Sequence, residues 1–244
     1  MPPKPSLTDI RDQLRQARTV TVLTGAGVSA DSGVPTFRGA DGLWKNFRPE
    51  ELASPAAFAH DPKLVWEWYN WRRELLSTKT PNAAHHALSK LEQGITDFWL
   101  ITQNVDGLHA QAGSRNLSEI HGNIWKVRCT DCGRVFSNRE VPIVYPPTCR
   151  ECSGLLRPHI VWFGESLNHD DLNNSFSALK QCEILLVVGT SGVVYPAASF
   201  ASVAKGHGAL VVEINLDSTP NSSLVDVSFQ GRAKDLVPLL LSDS

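Results

Sequence analysis

The sequence predicts an α/β protein with a Rossmann-like, doubly wound parallel sheet. Four runs rich in Val, Ile, Leu and Phe have the composition of buried strands, at residues 20–24, 98–102, 184–188 and 209–214. Stretches with helical periodicity separate these runs, and strands that alternate with helices are typical of parallel βαβ sheets. The last three runs lead into polar residues, at the place where open α/β sheets bind ligands.

Three helices are predicted with defined starting points. Residues 6–18 carry apolar side chains at helical spacing behind Ser6 or Thr8 as the N-cap. Residues 61–76 begin with Asp-Pro, an N-cap followed by the one helical position that favours proline. Residues 81–94 begin with Pro-Asn and end at a glycine.

Residues 25–30, GAGVSA, directly follow the first predicted strand and fit the G-x-G-x-x-[G/A] pattern of a phosphate-binding turn. Glycine permits the tight turn and lets bare backbone approach a pyrophosphate, while the next helix directs its unpaired N–H groups towards the phosphates. This pattern alone is weakly specific, so a glycine-rich turn without a ligand remains the alternative.

The next residues, 31–39, do not continue as a helix, because Pro35 would interrupt it. We therefore expect a loop folded over the ligand, with Phe37 suited to an apolar ring and Arg38 to a pyrophosphate. Residues 39–52, which include Trp44, are expected to form a flap. The acidic residue that binds a ribose about 20 residues after the turn is not evident, which argues against an ordinary dehydrogenase.

Composition excludes several classes of function. The chain has 42% hydrophobic and 20% charged residues, typical of a soluble globular protein, and its net charge of −2 gives no electrostatic case for nucleic acid. No apolar run reaches the ~18 residues needed for a membrane-spanning helix. Residues 1–16 lack the apolar centre of a signal peptide, so a cytoplasmic location is expected.

Four cysteines predict a structural zinc site. Cys129 and Cys132 form one C-x-x-C pair, Cys149 and Cys152 form a second, and sixteen residues separate the pairs. Two such pairs can supply the four thiolates of a tetrahedral Zn²⁺ site, which leaves no position for a catalytic water. A pair of disulfides is the alternative, and it fits poorly with a chain that lacks an export signal.

The helix predicted at 61–76 carries an arginine among apolar neighbours. Val65, Tyr69, Arg72 and Leu76 fall on one stripe, and no carboxylate stands three or four residues from Arg72. Arg72 could extend its charge to solvent or pair with a distant carboxylate. Alternatively, Tyr69 and Arg72 together bind an anionic ligand.

In the order in which its motifs occur, the chain closely resembles the sirtuins, a family of NAD-dependent protein lysine deacylases. The matching segments are GAGVSADSGVPTFRG at 25–39, TQNVDGLH at 102–109, His-Gly at 121–122, the four cysteines, GTS at 189–191 and Asn215. The combination of Ala53, Tyr69 and Arg72 resembles the class III branch, which removes acidic acyl groups. The resemblance thus implies an α/β fold with a smaller zinc-ribbon module and a helical insert.

The resemblance implies a reaction in which the acyl-lysine oxygen attacks the ribose carbon that bears nicotinamide. His121 would act as the general base on the ribose hydroxyls, and its ordinary pKa near 6.5 suits that role. Asn104 would be the second catalytic residue. The products would be free lysine, nicotinamide and O-acyl-ADP-ribose.

The resemblance also implies the binding residues. NAD would contact Gly25, Ala26, Gly27, Ser29, Ala30, Pro35, Phe37, Arg38, Trp44, Gln103, Asn104, Val105, Asp106, Gly189, Thr190, Ser191, Asn215, Leu216, Asp217 and Ala233. The acyl-lysine protein or peptide would add as a β-strand and contact Ala53, Tyr69, Arg72, Val161, Trp162, Phe163, Gly164, Val193 and Tyr195. One structural Zn²⁺ would bind the four cysteines.

The resemblance implies a single catalytic domain with three parts. The NAD-binding part comprises residues 1–37, 82–124 and 167–244. The flap and helical insert comprise residues 38–81, and the zinc module comprises residues 125–166. Tyr69 and Arg72 would then bind the carboxylate of succinyl- or malonyl-lysine.

A plain deacetylase and a protein ADP-ribosyltransferase are alternative enzymes. A zinc ribbon that binds nucleic acid or protein is an alternative of another class, although the net charge of −2 argues against nucleic acid as a partner.

Overall fold

A computed structural model describes residues 5–36 and 52–242, which form a large sheet covered by helices and a small second sheet. The helices are α1 (Leu7–Gln16), α2 (Gly27–Ala30), α3 (Pro55–His60), α4 (Pro62–Ser77), α5 (Ala83–Gly94), α6 (Leu108–Ala112), α7 (His169–Gln181), α8 (Phe200–Gly206) and α9 (Ala233–Leu241). The strands are β1 (Thr19–Thr24), β2 (Asp97–Thr102), β3 (Leu117–Glu119), β4 (Gly122–Cys129), β5 (Val135–Ser137), β6 (Leu156–Ile160), β7 (Ile184–Val188), β8 (Leu210–Asn215) and β9 (Val227–Gln230).

The large sheet is parallel throughout and has the strand order β3-β2-β1-β7-β8-β9. The order reverses between β1 and β7, which pair from Val20↔Ile184 to Thr24↔Val188. In doubly wound sheets, ligands bind beyond the carboxyl ends of the strands at this switch point. The predicted fold class is therefore confirmed.

The central strands are apolar because helices cover both faces of the sheet. One core cluster packs α1, α5 and α9 against one face, and a second packs α7 and α8 against the other. Every residue of β7 is buried as a result.

The predicted helix starts are confirmed. The Ser6 hydroxyl accepts the Asp9 N–H at 3.2 Å, while the Asp9 carboxylate accepts the Ser6 N–H, so a capping box begins α1. Asp61 caps α4 through the Leu64 N–H at 2.9 Å, and Asn82 caps α5. Helix α1 ends at Gln16, two residues earlier than predicted.

The small sheet places α4 beside the switch point. Its antiparallel strands have the order β5-β4-β6, and β4 begins where the chain leaves the large sheet after β3. Helix α4 packs against this sheet in a third core cluster that contains Trp66, Tyr69, Ile124 and Trp162. The segment that carries Tyr69 and Arg72 is thereby fixed between the two sheets.

Leu186→Ala should lower the free energy of unfolding by about 2–5 kcal/mol, because a fully buried leucine at the centre of β7 would leave a cavity. Urea denaturation monitored by circular dichroism measures the change. Leu239→Ala on the exposed side of α9 is the matched control, and an equal loss in both variants would contradict the assigned core.

Candidate active site

Two glycine turns meet at the switch point. The Gly27 N–H donates to the Gly189 carbonyl at 2.8 Å, and the Gly25 N–H donates to Val188 at 3.1 Å. A Cβ on Gly27 would lie 2.7 Å from the Gly189 Cα, and one on Gly25 would lie 2.8 Å from the Thr190 Cα. These glycines are therefore required by the contact between the turns after β1 and β7, whether or not a ligand approaches them.

The helix after the first turn is shorter than the phosphate-binding pattern predicts. Helix α2 ends at Ala30, and residues 34–36 have no regular secondary structure, as expected from Pro35. One helical turn has only a small dipole to offer a phosphate, and phosphate binding at this turn stays a prediction. Phe37, Arg38 and Trp44 lie outside the described residues.

A buried polar cluster lies just beyond the ends of β1 and β2. The Asp106 carboxylate accepts the Ser29 hydroxyl at 2.8 Å and the Leu108 N–H at 2.9 Å, and the Asn104 amide donates to the Ser29 oxygen at 3.1 Å. Burial raises the pKa of Asp106, although these hydrogen bonds oppose the shift. Asp106 thus caps the turn into α6 and faces the pocket with its neighbours.

These residues form one wall of a pocket that opens at the switch point. The opposite wall is the side of α4 that carries Arg72. The described residues that line the pocket are Ala26, Ser29, Val34, Pro35, Arg72, Leu75, Leu76, Asn104, Val105 and Asp106. Six residues predicted to contact the cofactor and one predicted to contact the acyl group therefore share a single pocket.

His121 is held as a neutral ring with one free nitrogen. Its Nδ1 lies 3.0 Å from the Gln103 carbonyl oxygen, which can only accept, so Nδ1 carries the proton and Nε2 is unprotonated. Burial lowers the pKa of His121 below 6.5, and the bond to Gln103 opposes this shift.

A Cβ on the next residue, Gly122, would lie 2.2 Å from the His159 oxygen, so glycine is required there.

Two buried histidines were not singled out from the sequence. The His85 Nε2 lies 3.3 Å from the Ser29 hydroxyl, and the His109 Nε2 lies 2.9 Å from the Thr24 hydroxyl. Their rings are 4.8 Å apart, and burial lowers the pKa of His85 to about 4 and the pKa of His109 well below its ordinary value. Both rings are therefore neutral at pH 7. Each contacts a buried hydroxyl at the polar cluster, and neither lines the pocket. His85 follows its helix cap without any motif that distinguishes it.

Tyr69 and Arg72 are both buried side by side on α4. The Trp162 indole N–H donates to the Tyr69 hydroxyl at 2.8 Å, and the Arg72 guanidinium lies 4.9 Å from the Trp68 ring centre. Burial lowers the pKa of Arg72, while Tyr69 and the negative charge of Asp106 oppose the shift. Arg72 is only 5% exposed, so its charge does not extend to solvent and instead faces the pocket.

The segment at 161–165 is anchored on both sides. The Val161 N–H donates to the His121 carbonyl at 2.9 Å, and the Phe163 N–H donates to the Ala53 carbonyl at 3.0 Å. Arg157 makes a bidentate pair with Glu165 at 2.6 and 2.8 Å, and Glu165 also accepts the Trp162 N–H. The segment therefore holds Trp162 against Tyr69, and Ala53 belongs to the same core cluster.

The other predicted peptide contacts are exposed. The side chains of Phe163, Val193 and Tyr195 are 50%, 39% and 78% exposed, and Gly164 is exposed as well. The three side chains are apolar surfaces on the two segments predicted to accept a strand.

Residues predicted to contact the far end of the nucleotide lie after β7 and β8. The Gln103 amide donates to the Thr190 hydroxyl at 2.8 Å, and the Asn215 amide donates to the Thr190 carbonyl at 2.7 Å. Ser191, Leu216 and Asp217 are exposed beside them. Ala233, in contrast, is the first residue of α9 and is buried in the core.

The four cysteines form a single cluster, in which all sulfur atoms lie within 4.8 Å of one another. The Asp131 N–H points to the Cys129 sulfur and the Glu151 N–H to the Cys149 sulfur, each at 3.4 Å. Sulfur atoms about 3.8 Å apart are expected around a tetrahedral Zn²⁺ with Zn–S bonds of about 2.3 Å. The donor set and its spacing therefore fit one structural zinc ion.

Comparison with known proteins gives the family. A statistical model of the Sir2 family matches residues 25–196, more than half of the chain. The chain belongs to the Sir2 family. A Sir2 relative named NAD-dependent protein deacylase, from Aquifex aeolicus (strain VF5), is 53% identical over 215 residues, which cover 88% of this chain and 90% of the relative.

Solved Sir2 structures agree with the fold. A Sir2 homologue in complex with NAD superposes with a TM-score of 0.90 at 46% identity and covers 96% of this chain and 92% of its own. A Sir2 protein with a deacetylated p53 peptide and 3′-O-acetyl ADP-ribose superposes with a TM-score of 0.84 at 31% identity, with 96% of both chains covered.

In the part of this Sir2 chain that the structure describes, no helix combines the length and apolar character needed to cross a membrane. The cytoplasmic location and the boundaries of the three parts of the domain stay predictions.

Cys132→Ala should abolish stoichiometric binding of zinc, because three thiolates leave the tetrahedron incomplete. Metal analysis of the purified protein should give one zinc per wild-type chain, and hydrogen exchange should show faster exchange at residues 129–156 in the variant. Cys182→Ala, outside the cluster, is the matched control. A Cys132→Ala protein with full zinc content and unchanged exchange would contradict the assignment.

Proposed function

We propose that this chain is an NAD-dependent protein-lysine deacylase that removes succinyl and malonyl groups and also acts on acetyl groups. The observation that carries the proposal is the pocket in which Arg72 faces Ser29, Asn104 and Asp106. Its relatives are named as NAD-dependent protein deacylases. The released products would be nicotinamide and O-acyl-ADP-ribose.

The amide and carboxylate on the sheet side of the pocket suit a nicotinamide carboxamide. Asn104 and Asp106 are both hydrogen-bonded to Ser29, so contacts within the protein orient them. NAD supplies a ribose carbon with a good leaving group. Asn104 would orient the reacting end of NAD, and the burial of the pocket would exclude water from it.

The nucleotide would extend from this pocket across the switch point towards β8. The proposed contacts are Gly25, Ala26, Gly27, Ser29, Ala30, Pro35, Phe37, Arg38, Trp44, Gln103, Asn104, Val105, Asp106, Gly189, Thr190, Ser191, Asn215, Leu216, Asp217 and Ala233. Asn215 would replace the acidic ribose ligand of dehydrogenases, since an amide can also hydrogen-bond a hydroxyl.

His121 is the proposed general base. Its Nδ1 proton is committed to Gln103, so the unprotonated Nε2 can accept a proton from a ribose hydroxyl. The lowered pKa keeps the ring neutral and available at pH 7.

A substrate peptide would add as a strand between residues 160–165 and 192–195. A complex of a related structure with a deacetylated p53 peptide supports a peptide substrate. The proposed contacts are Ala53, Tyr69, Arg72, Val161, Trp162, Phe163, Gly164, Val193 and Tyr195. Strand addition would use main-chain hydrogen bonds for affinity and leave target choice to the side chains.

The preference for acidic acyl groups follows from the charge of the pocket. Arg72 supplies a buried cation, and the Tyr69 hydroxyl lies beside it. The small side chain of Ala53 leaves room for a longer acyl chain. A hydrogen bond to a charged group is worth about 1.5–3 kcal/mol, which corresponds to about 10- to 150-fold in selectivity.

Arg72→Met should reduce kcat/KM for a succinyl-lysine peptide by about 10-fold or more, because it removes the cation that would bind the carboxylate. The loss on an acetyl-lysine peptide should be smaller. Nicotinamide release with each peptide, in the presence and absence of NAD, measures both values. An equal loss on the two peptides would show that Arg72 does not recognise the carboxylate, and a wild-type chain active only on acetyl-lysine would identify a plain deacetylase.

The dependence of kcat/KM on pH should show an acid limb below pH 6.5. The folded pKa of His121 is lowered, so the ring loses its neutral form, and with it its function as a base, only when the pH falls through a value below 6.5. Rates between pH 4.5 and 8 with a succinyl-lysine peptide test this. His121→Tyr should be folded and inactive, and full activity in that variant would remove His121 from the mechanism.

A further inference from the structure

Helix α4 attaches to the four-cysteine module by a stripe next to the one that carries Tyr69 and Arg72. Trp66, Asn70 and Arg73 are spaced at i, i+4 and i+7, so they share one side of the helix. The Trp66 indole N–H donates to the Leu156 carbonyl at 2.9 Å. Asn70 donates to the Ile143 carbonyl and accepts the Ile143 N–H, both at 2.9 Å.

Arg73 makes the most extensive of these contacts. Its Nη1 donates to the Ile124 carbonyl at 2.5 Å, its Nη2 to the Asn138 carbonyl and side-chain oxygen at 2.6 Å, and its Nε to the Glu140 carbonyl at 3.2 Å. The side chain is 1% exposed, and burial lowers its pKa to about 10, so it is charged at neutral pH. Within residues 5–36 and 52–242, no carboxylate forms an ion pair with it.

This arrangement fixes the helix in one orientation. A buried cation loses its hydration, and only the complete set of carbonyl contacts compensates for that loss. The planar guanidinium makes these contacts in a fixed fork, so the helix cannot turn without breaking several of them. A lysine would keep the charge but could not reproduce the fork.

The orientation of α4 determines where the Arg72 guanidinium lies. Side-chain groups lie about 6 Å from a helix axis, so a rotation of about 20° would move this group by about 2 Å. A displacement of that size is enough to break a charged hydrogen bond, which requires about 2.7–3.2 Å between heavy atoms. Methyl groups of an acetyl substrate make no such bond.

Arg73 is also connected, through Trp125, to the pocket wall opposite α4. The Arg73 guanidinium lies 5.1 Å from the centre of the Trp125 ring, and the Trp125 indole N–H donates to the Asp106 carbonyl at 2.7 Å. Arg73 is therefore placed between the acyl side and the nicotinamide side of the pocket.

We propose that Arg73, with Asn70 one turn earlier, is a positioning residue that sets the rotation of α4 and thereby the selectivity of the pocket for acidic acyl groups. This inference rests on the proposed deacylase function. Neither side chain lines the pocket, so their effect passes through Tyr69 and Arg72.

The test compares Arg73→Lys, Arg73→Met and Asn70→Ala with the wild-type chain, with Glu74→Ala on the exposed side of α4 as the matched control. Steady-state kinetics with succinyl- and acetyl-lysine peptides gives the ratio of their kcat/KM values. Hydrogen exchange of α4, compared with β1 and β7, reports the attachment of the helix independently of activity.

In Arg73→Lys and Asn70→Ala, the succinyl-to-acetyl ratio should fall about 10-fold or more, mainly through KM for the succinyl peptide. Arg73→Met should lower the ratio at least as far, and Glu74→Ala should leave it unchanged. Exchange should become faster in α4 and stay slow in β1 and β7.

An unchanged ratio, or equal losses on both peptides, would overturn the proposal, since a merely structural role affects both substrates alike. If the wild-type chain does not cleave the succinyl peptide, the proposed acyl preference fails separately. In that case the exchange data decide the positioning role, and unchanged exchange of α4 in Arg73→Lys and Asn70→Ala would overturn it.

Discussion

The contact between the turns after β1 and β7 is the constraint on which the sheet side of the site depends. The backbone of residues 25–27 lies directly on Gly189 and Thr190, with the Gly27 N–H bonded to the Gly189 carbonyl. Because a single Cβ would force these turns apart, the two central strands of the sheet could not end side by side without glycine. The crevice at the switch point, and the polar residues after β2 and β8 that face it, all depend on that contact.

The pocket then combines charged and neutral polar groups at low exposure. Burial raises the pKa of Asp106 and lowers that of Arg72 in the pocket, and it also lowers the pKa of His121 outside the lining. Burial favours the neutral form of each group, while the hydrogen bonds and charges of its partners oppose that shift. The hydrogen bonds of Ser29 to Asp106 and of His121 to Gln103 orient these side chains from within the protein. A preorganised site of this kind spends little free energy on ordering its side chains during the reaction.

Local sequence signals predicted much of this architecture because they depend on neighbouring residues only. The strands β1, β2, β7 and β8 were predicted from apolar runs, and α1, α4 and α5 from their caps. Strands β3 and β9 were missed because they are short edge strands of three and four residues. The small sheet was missed as well, since β4 pairs with β6 across about 30 intervening residues, a distance at which periodicity gives no information.

The sequence by itself determined the fold class, the zinc ligands, the family motifs and the unusual Arg72, because residue type and spacing carry that information. Only the tertiary structure decided why Gly25 and Gly27 are needed, which nitrogen of His121 is free, and what the buried side chains of His85 and Arg73 contact. These properties arise from contacts between residues far apart in the chain. A buried histidine or arginine has the same one-letter code as an exposed one, and only its packing establishes its protonation state and its partners.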